Sequence, residues 1–198
     1  LAEHADPVAE EVFDLDAERE TEITALNTFD RVLAISDRDL RIFRENYGVE
    51  HVTHLPAPYL GGDLSTRSRR SNSPLKFGFL GSGMDANRKA LDHIFSDWWP
   101  AIHAFSPGSQ LLIAGQIVKD EAVQDLCFLR DEVVPVGFVD FPAQFFNEID
   151  VLLSPVVVPG GLNIKIVEAL LNECVVLTNS LGAKPLQPLT LSTIAETG

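Results

Sequence analysis

Between residues 75 and 178, short apolar runs alternate with longer amphipathic ones, and this rhythm restricts the fold more than any other feature. The apolar runs are 76–80, 110–114, 133–136, 150–154 and 175–178. Each is short and rich in Val, Ile, Leu or Phe, as strands buried on both faces are. The stretches 87–105, 120–130, 142–149 and 163–172 have helical spacing. Such alternation predicts an α/β domain: a parallel, Rossmann-like sheet with helices on both faces and right-handed crossovers. Ligands of such sheets lie beyond the carboxyl ends of the strands, near the point where strand order reverses. Two turns qualify, Gly81-Ser82-Gly83 after the first strand and Gly160-Gly161-Leu162 before the last helix. Trp98, Trp99, Phe141, Phe145 and Phe146 read as core around the helices.

The first sixty residues form a separate segment. Residues 31–35 read as a strand, 37–47 as a helix and 51–55 as a second strand ending at Pro56. Ser36 is the expected N-cap, because a hydroxyl there satisfies a first-turn amide, and Gly48 is the expected stop. Residues 61–74 hold two glycines, four serines and three arginines (Arg67, Arg69, Arg70) and almost nothing apolar, the composition of an exposed linker. The predicted organisation is therefore 1–60, a linker over 61–74, and a second domain over 75–198. Beyond Ser180 the chain turns Gly-, Pro- and Thr-rich and stops early, so the second domain is expected to be incomplete at its C-terminus.

Charge excludes some functions. The chain of 198 residues carries a formal net charge of −14. Residues 1–30 hold ten acids against Arg19 alone, a local balance of −9. That argues against nucleic-acid binding, which needs a basic footprint, and reads as a solvated stretch with a helix over 17–26. Asp14-Leu15-Asp16 has the form of a D-x-D metal motif but follows no apolar strand, so no metal site is assigned. His4, His51, His54, His93 and His103 show no ligand spacing, and Cys127 and Cys174 read as two buried free thiols. No apolar run approaches the ~20 residues that span a bilayer. The chain opens on Leu1 and its one methionine is Met84, so it is expected to begin within a longer protein.

The most informative stretch runs from Pro159 to Leu170. A Gly-bearing turn feeds a helix that is apolar at Ile164, Ile166, Val167, Ala169, Leu170 and Leu171. Asn163 is its expected N-cap, and free amides at a helix start favour an anion such as phosphate. Lys165 and Glu168 interrupt the apolar pattern on one face. Spacing alone leaves two readings open. They are a surface ion pair, or a nucleotide diphosphate site with Lys165 on phosphate and Glu168 on the ribose.

Gly81-Ser82-Gly83-Met84-Asp85-Ala86 also fits the dinucleotide pattern G-x-G-x-x-A. That reading asks for an acid closing the second strand, and this one closes on Ala114-Gly115-Gln116.

Glu168-Ala169-Leu170 behind a Gly-rich turn resembles the signature of the retaining, GT-B-type glycosyltransferases of the group 1, or GT4-like, families. The segment 29–36, the run Leu111-Leu112-Ile113-Ala114-Gly115 and Val136-Gly137-Phe138-Val139 are similar to them as well. Many members carry a second Glu eight positions earlier, where this chain has Gly160. The resemblance implies a GT-B fold, with the end of an acceptor-side domain over 1–60 and a nucleotide-sugar-binding domain over 75–198. It implies metal-independent, retaining transfer of a sugar from a nucleotide diphosphate sugar to a hydroxyl on a glycan, lipid-linked or small-molecule acceptor, with no separate cofactor. It places Gly81, Ser82, Gly83, Arg88, Lys89, Gly115, Gly160, Gly161, Leu162, Asn163, Ile164, Lys165 and Glu168 around the donor. A cytoplasmic location follows by the same analogy, with any membrane attachment peripheral and outside this sequence. A sugar-nucleotide epimerase of the same fold, an NAD(P)-binding domain and a non-catalytic binding module are the alternatives.

Overall fold

A computed structural model describes residues 14–56, 74–158, 161–186 and 194–197. Most of the expected linker and Gly160 lie outside the described residues. The chain divides into two compact units, Leu1–Pro56 and Ala57–Gly198.

In the first unit, helix α1 (Leu15–Leu26) precedes strand β1 (Val32–Ala34), helix α2 (Asp37–Arg41) and strand β2 (Val52–His54). The Asp14 carboxylate caps α1 by accepting from the Asp16 and Ala17 amides, which gives the Asp14-Leu15-Asp16 triplet a local structural role. No residue of α1 is buried, so its acids face solvent. Ser36 caps α2 as expected, its Oγ accepting from the Asp39 amide at 3.1 Å and donating to the Asp39 carboxylate at 2.7 Å. A π-helical turn, Ile42–Asn46, continues α2, and Gly48 ends the run at φ +68°. The two strands pair in parallel over a small core of Val32, Ala34, Val49 and Val52.

The second unit is the predicted layered domain. Its strands are β3 (Lys76–Leu80), β4 (Gln110–Ala114), β5 (Val133–Gly137), β6 (Val151–Leu153), β7 (Val175–Asn179) and β8 (Ile194–Thr197). All pair in parallel, in the order β5-β4-β3-β6-β7-β8. The chain builds outward from β3 in one direction, then returns and builds outward from β6 in the other. The reversal lies between β3 and β6, the point at which such sheets open a crevice.

The helices follow from that reversal. A long run is formed by α3 (Asp85–His93), a π turn (Ile94–Trp98) and α4 (Trp99–Phe105); it packs with α5 (Glu121–Leu129) on one face. Phe77, Phe79, Leu111, Ile113 and Leu153 point to that face and meet Leu91, Ile94 and Trp99. On the other face α6 (Pro142–Glu148), α7 (Ile164–Leu171) and α8 (Ser180–Ala183) cover Leu112, Ala114, Leu152 and Val176. The two-residue alternation along each strand sorts the side chains between these cores. Gly78 faces α6, where an added Cβ would stand 2.5 Å from the Ile149 side chain, so the helix sits almost directly on the strand.

Several expectations need correction. Trp98, Trp99, Phe145 and Phe146 are buried, but Phe141 is largely exposed, because it precedes α6 instead of lying within it. Cys174 is buried while Cys127 is only half-buried. The tail, to which no element was assigned from the sequence, forms α8, a 3₁₀ turn (Lys184–Leu186) and β8.

Candidate functional site

Beyond the carboxyl ends of the strands lies a cleft of about 860 Å³. Its floor is main chain. The Gly81 amide donates to the Ala114 carbonyl, the Gly115 amide to the Gly137 carbonyl at 2.7 Å, and the Ile117 amide to the Gly81 carbonyl. These bonds stitch together the ends of β3, β4 and β5. Gly115 sits at φ +96°, and a Cβ there would lie 2.2 Å from the Gly81 carbonyl oxygen. Only glycine combines that dihedral with that approach.

One wall is the turn after β3, with Ser82 and Met84, backed by Asn87 from the first turn of α3. Gln116, Phe138 and Val139 line the side beyond β4 and β5. The segment after β6 supplies Val156, Val158, Gly161 and Leu162, then Asn163, Ile164 and Lys165 at the start of α7. Asn179 pins this segment: its amide donates to the Val156 carbonyl at 2.9 Å and accepts from the Val156 amide at 3.2 Å.

Lys165 is the one ionisable side chain among the described residues lining the cleft. Its Nζ donates to the Leu80 carbonyl at 2.9 Å and to Asn87 Oδ1 at 3.0 Å, and lies 4.9 Å from the centre of the Phe79 ring. Burial pushes its pKa down to about 8, so the ammonium is poised close to neutrality. Asn163 precedes α7, but its side chain makes no cap bond, contrary to expectation; its carbonyl accepts from the Ile166 and Val167 amides. Among the described residues the amides of Ile164 and Lys165 have no acceptor. A half-buried cation thus stands beside helix-start amides that have no acceptor among the described residues, an arrangement complementary to an anion.

Of the residues predicted from sequence, the structure gathers Gly81, Ser82, Gly115, Gly161, Leu162, Asn163, Ile164 and Lys165 around the cleft. Gly83, Arg88, Lys89 and Glu168 are not in its lining. Arg88 binds the Asp120 carboxylate, and Lys89 binds Asp85 at 2.8 Å one turn away, so both cations are already partnered. Glu168 is half-buried, and burial pushes its carboxyl pKa up. Sequence reasoning missed Asn87, Gln116 and Phe138. Asn87 meets Lys165 across 78 positions, which no local spacing reveals, whereas Phe138 stands just past a strand end and was findable there.

Residues 74–188, more than half the chain, match the family of glycosyl transferases group 1. The chain belongs to that family. A search of curated proteins returned no significant match. Among solved structures the chain resembles Anabaena HepE in complex with UDP and glucose, at 16% identity and a TM-score of 0.66 over 92% of this chain and 54% of HepE. It also resembles the pneumococcal O-GlcNAc transferase GtfA in complex with UDP and GlcNAc (13%, TM-score 0.66, 90% of this chain and 36% of GtfA). A Rickettsia africae glycosyltransferase is similar over 94% of this chain and 55% of its own length, at 13% identity and a TM-score of 0.64. At these identities the likeness is one of fold, which is of the GT-B type. The group 1 chain described here spans about half the length of HepE.

Proposed function

We propose that residues 75–198 form the donor-binding part of a glycosyltransferase that moves a sugar from a nucleotide diphosphate sugar to a hydroxyl acceptor in glycan or polysaccharide biosynthesis. The observation that carries this reading is Lys165, a cation held beside the amides that open α7, which have no acceptor among the described residues, at the strand-order reversal of a Rossmann-like sheet. Transfer builds negative charge on the departing diphosphate. Donors fixed in advance around that charge stabilise it without reorganising during the reaction. The diphosphate sits against the Ile164 and Lys165 amides and the Lys165 ammonium, with the glycine floor beneath. The nucleoside lies toward Gln116, Phe138 and Val139.

In this reading the transfer retains anomeric configuration and needs no metal. Residues 1–60 close an acceptor-side domain, and the groups that activate the acceptor belong to the rest of that domain. Glu168 is assigned to the ribose only if a bound nucleotide reaches it, because it stands outside the cleft lining in this structure.

A thermal-shift panel of UDP, GDP, ADP, CMP and NAD tests the reading. A ligand bound only by the folded state adds about 2.7 kcal/mol at a hundredfold excess over Kd. One or more nucleoside diphosphates should raise Tm, and NAD should not. A response to NAD alone, or to none, would overturn the proposal. With the full-length protein, free sugar released without an acceptor would point to an epimerase instead.

A further inference from the structure

The relation that the function above leaves unexplained is a side-chain bridge from Ser82 through Asn87 to Lys165. We propose that Asn87 is the positioning residue of the anion site: a neutral amide that fixes the Lys165 ammonium in place while leaving its charge uncancelled for the ligand. The inference deepens the donor-site reading and rests on it for the identity of the ligand.

The orientation of the amide is decided by its partners. Asn87 Nδ2 donates to the Ser82 carbonyl at 3.2 Å and to Ser82 Oγ at 3.0 Å. That turns Oδ1 toward Lys165, from which it accepts at 3.0 Å. An ammonium has three donors. The Leu80 carbonyl and Asn87 take two, and among the described residues the third has no acceptor. The bridge spans the reversal in strand order, since Ser82 and Asn87 follow β3 while Lys165 belongs to α7, after β6.

Apart from Lys165, the charged groups of α3 and α7 are not in the cleft lining. On α3, Asp85 pairs with Lys89, and Arg88 pairs with Asp120 of the α5 cap. On α7, Glu168 lies one turn on and outside the cleft lining. Burial lowers the Lys165 pKa, with no carboxylate opposing it. A carboxylate at position 87 would hold the lysine more tightly and cancel the charge that an anionic ligand needs. An amide supplies the hydrogen bond alone.

The test uses the full chain and needs no ligand for its first readout. The Lys165 pKa is followed by NMR of lysine side-chain carbons, in the parent, Asn87→Leu and Asn87→Asp, with Tm reporting folding. Loss of the acceptor in Asn87→Leu should move the Lys165 midpoint down by about a unit, and the carboxylate in Asn87→Asp should move it up by about a unit or more. Calorimetry with UDP, GDP and ADP at pH 7 should show at least about fivefold weaker binding of the parent's preferred diphosphate in both variants. Opposite shifts establish Asn87 as the group that sets the lysine. Unmoved midpoints in the folded variants overturn the proposal, and if Asn87→Leu does not fold, Asn87→Asp alone decides. A parent that binds no nucleotide yet shows the opposite shifts refutes the donor-site reading and leaves the bridge intact.

Discussion

Lys165 concentrates the chemistry of the site in one side chain. It is the cation that burial brings nearest to neutrality, at about 8. If it receives the diphosphate, affinity is full below that pH and falls as pH rises through 8 to 9, because the ammonium is lost. Lys165→Met should weaken nucleotide diphosphate binding at pH 7 by about tenfold or more and flatten its pH dependence, measured by calorimetry between pH 6.5 and 9.5. Stability follows the opposite sign. The folded-state pKa lies below the unfolded value near 10.5, so between pH 8 and 10.5 the unfolded chain holds more protons, and the unfolding free energy gains from rising pH. Denaturant unfolding of the parent should show that gain relative to Lys165→Met, and parallel curves would refute the desolvated ammonium. The residue was legible in the sequence because a lysine breaks an otherwise apolar helix. Its neighbours were not equally legible. Arg88 and Lys89 were assigned to the ligand by resemblance, and their present partners differ in legibility: Asp85 stands four positions before Lys89, whereas Asp120 becomes a neighbour of Arg88 only through the packing of α5 beside α3.

At the scale of elements, the strand ends and helix starts divide the work. The floor depends on Gly81 and Gly115 approaching backbone to backbone. Gly115→Ala would place a Cβ against the Gly81 carbonyl at a positive φ and should cost about 3 kcal/mol or more, the sum of an overpacking term and a dihedral term. For a unit of this size that lowers Tm by roughly 6–12 °C, with nucleotide binding lost as well. Ser36→Ala is the contrasting case. It removes one helix cap in the first unit, should cost about 1 kcal/mol there by hydrogen exchange, and should leave nucleotide affinity unchanged. Five strands of the larger sheet were placed within a residue or two, since their apolar runs are short and sharply bounded. The sixth, β8, was missed because Ile194-Ala195-Glu196-Thr197 lies in a stretch too polar and too rich in Pro and Thr to read as a buried strand.

For the whole molecule, the decisive quantity is the net charge of −14 over these 198 residues set against the anionic ligand proposed for the cleft. The two interact over different ranges. At low ionic strength the screening length is about 30 Å and the acid-rich surface repels the nucleotide; near physiological salt it falls to about 8 Å, while the short contacts at Lys165 are screened far less. The association rate of UDP or its counterpart should therefore rise between 10 and 150 mM salt, by stopped-flow, with dissociation little changed. A falling rate would mean that local attraction governs the approach.

The floor of stitched glycines carries a last consequence. Because it is built of peptide groups, it offers any guest the same landscape whatever side chains surround it. A change of preferred base or sugar must then arise at the rim, through positions such as Met84, Gln116, Phe138 and Val158, which are exposed to solvent and can vary without disturbing the sheet. Libraries confined to those four sites should retune selectivity at small thermodynamic expense, whereas diversity introduced underneath would abolish the receptacle altogether.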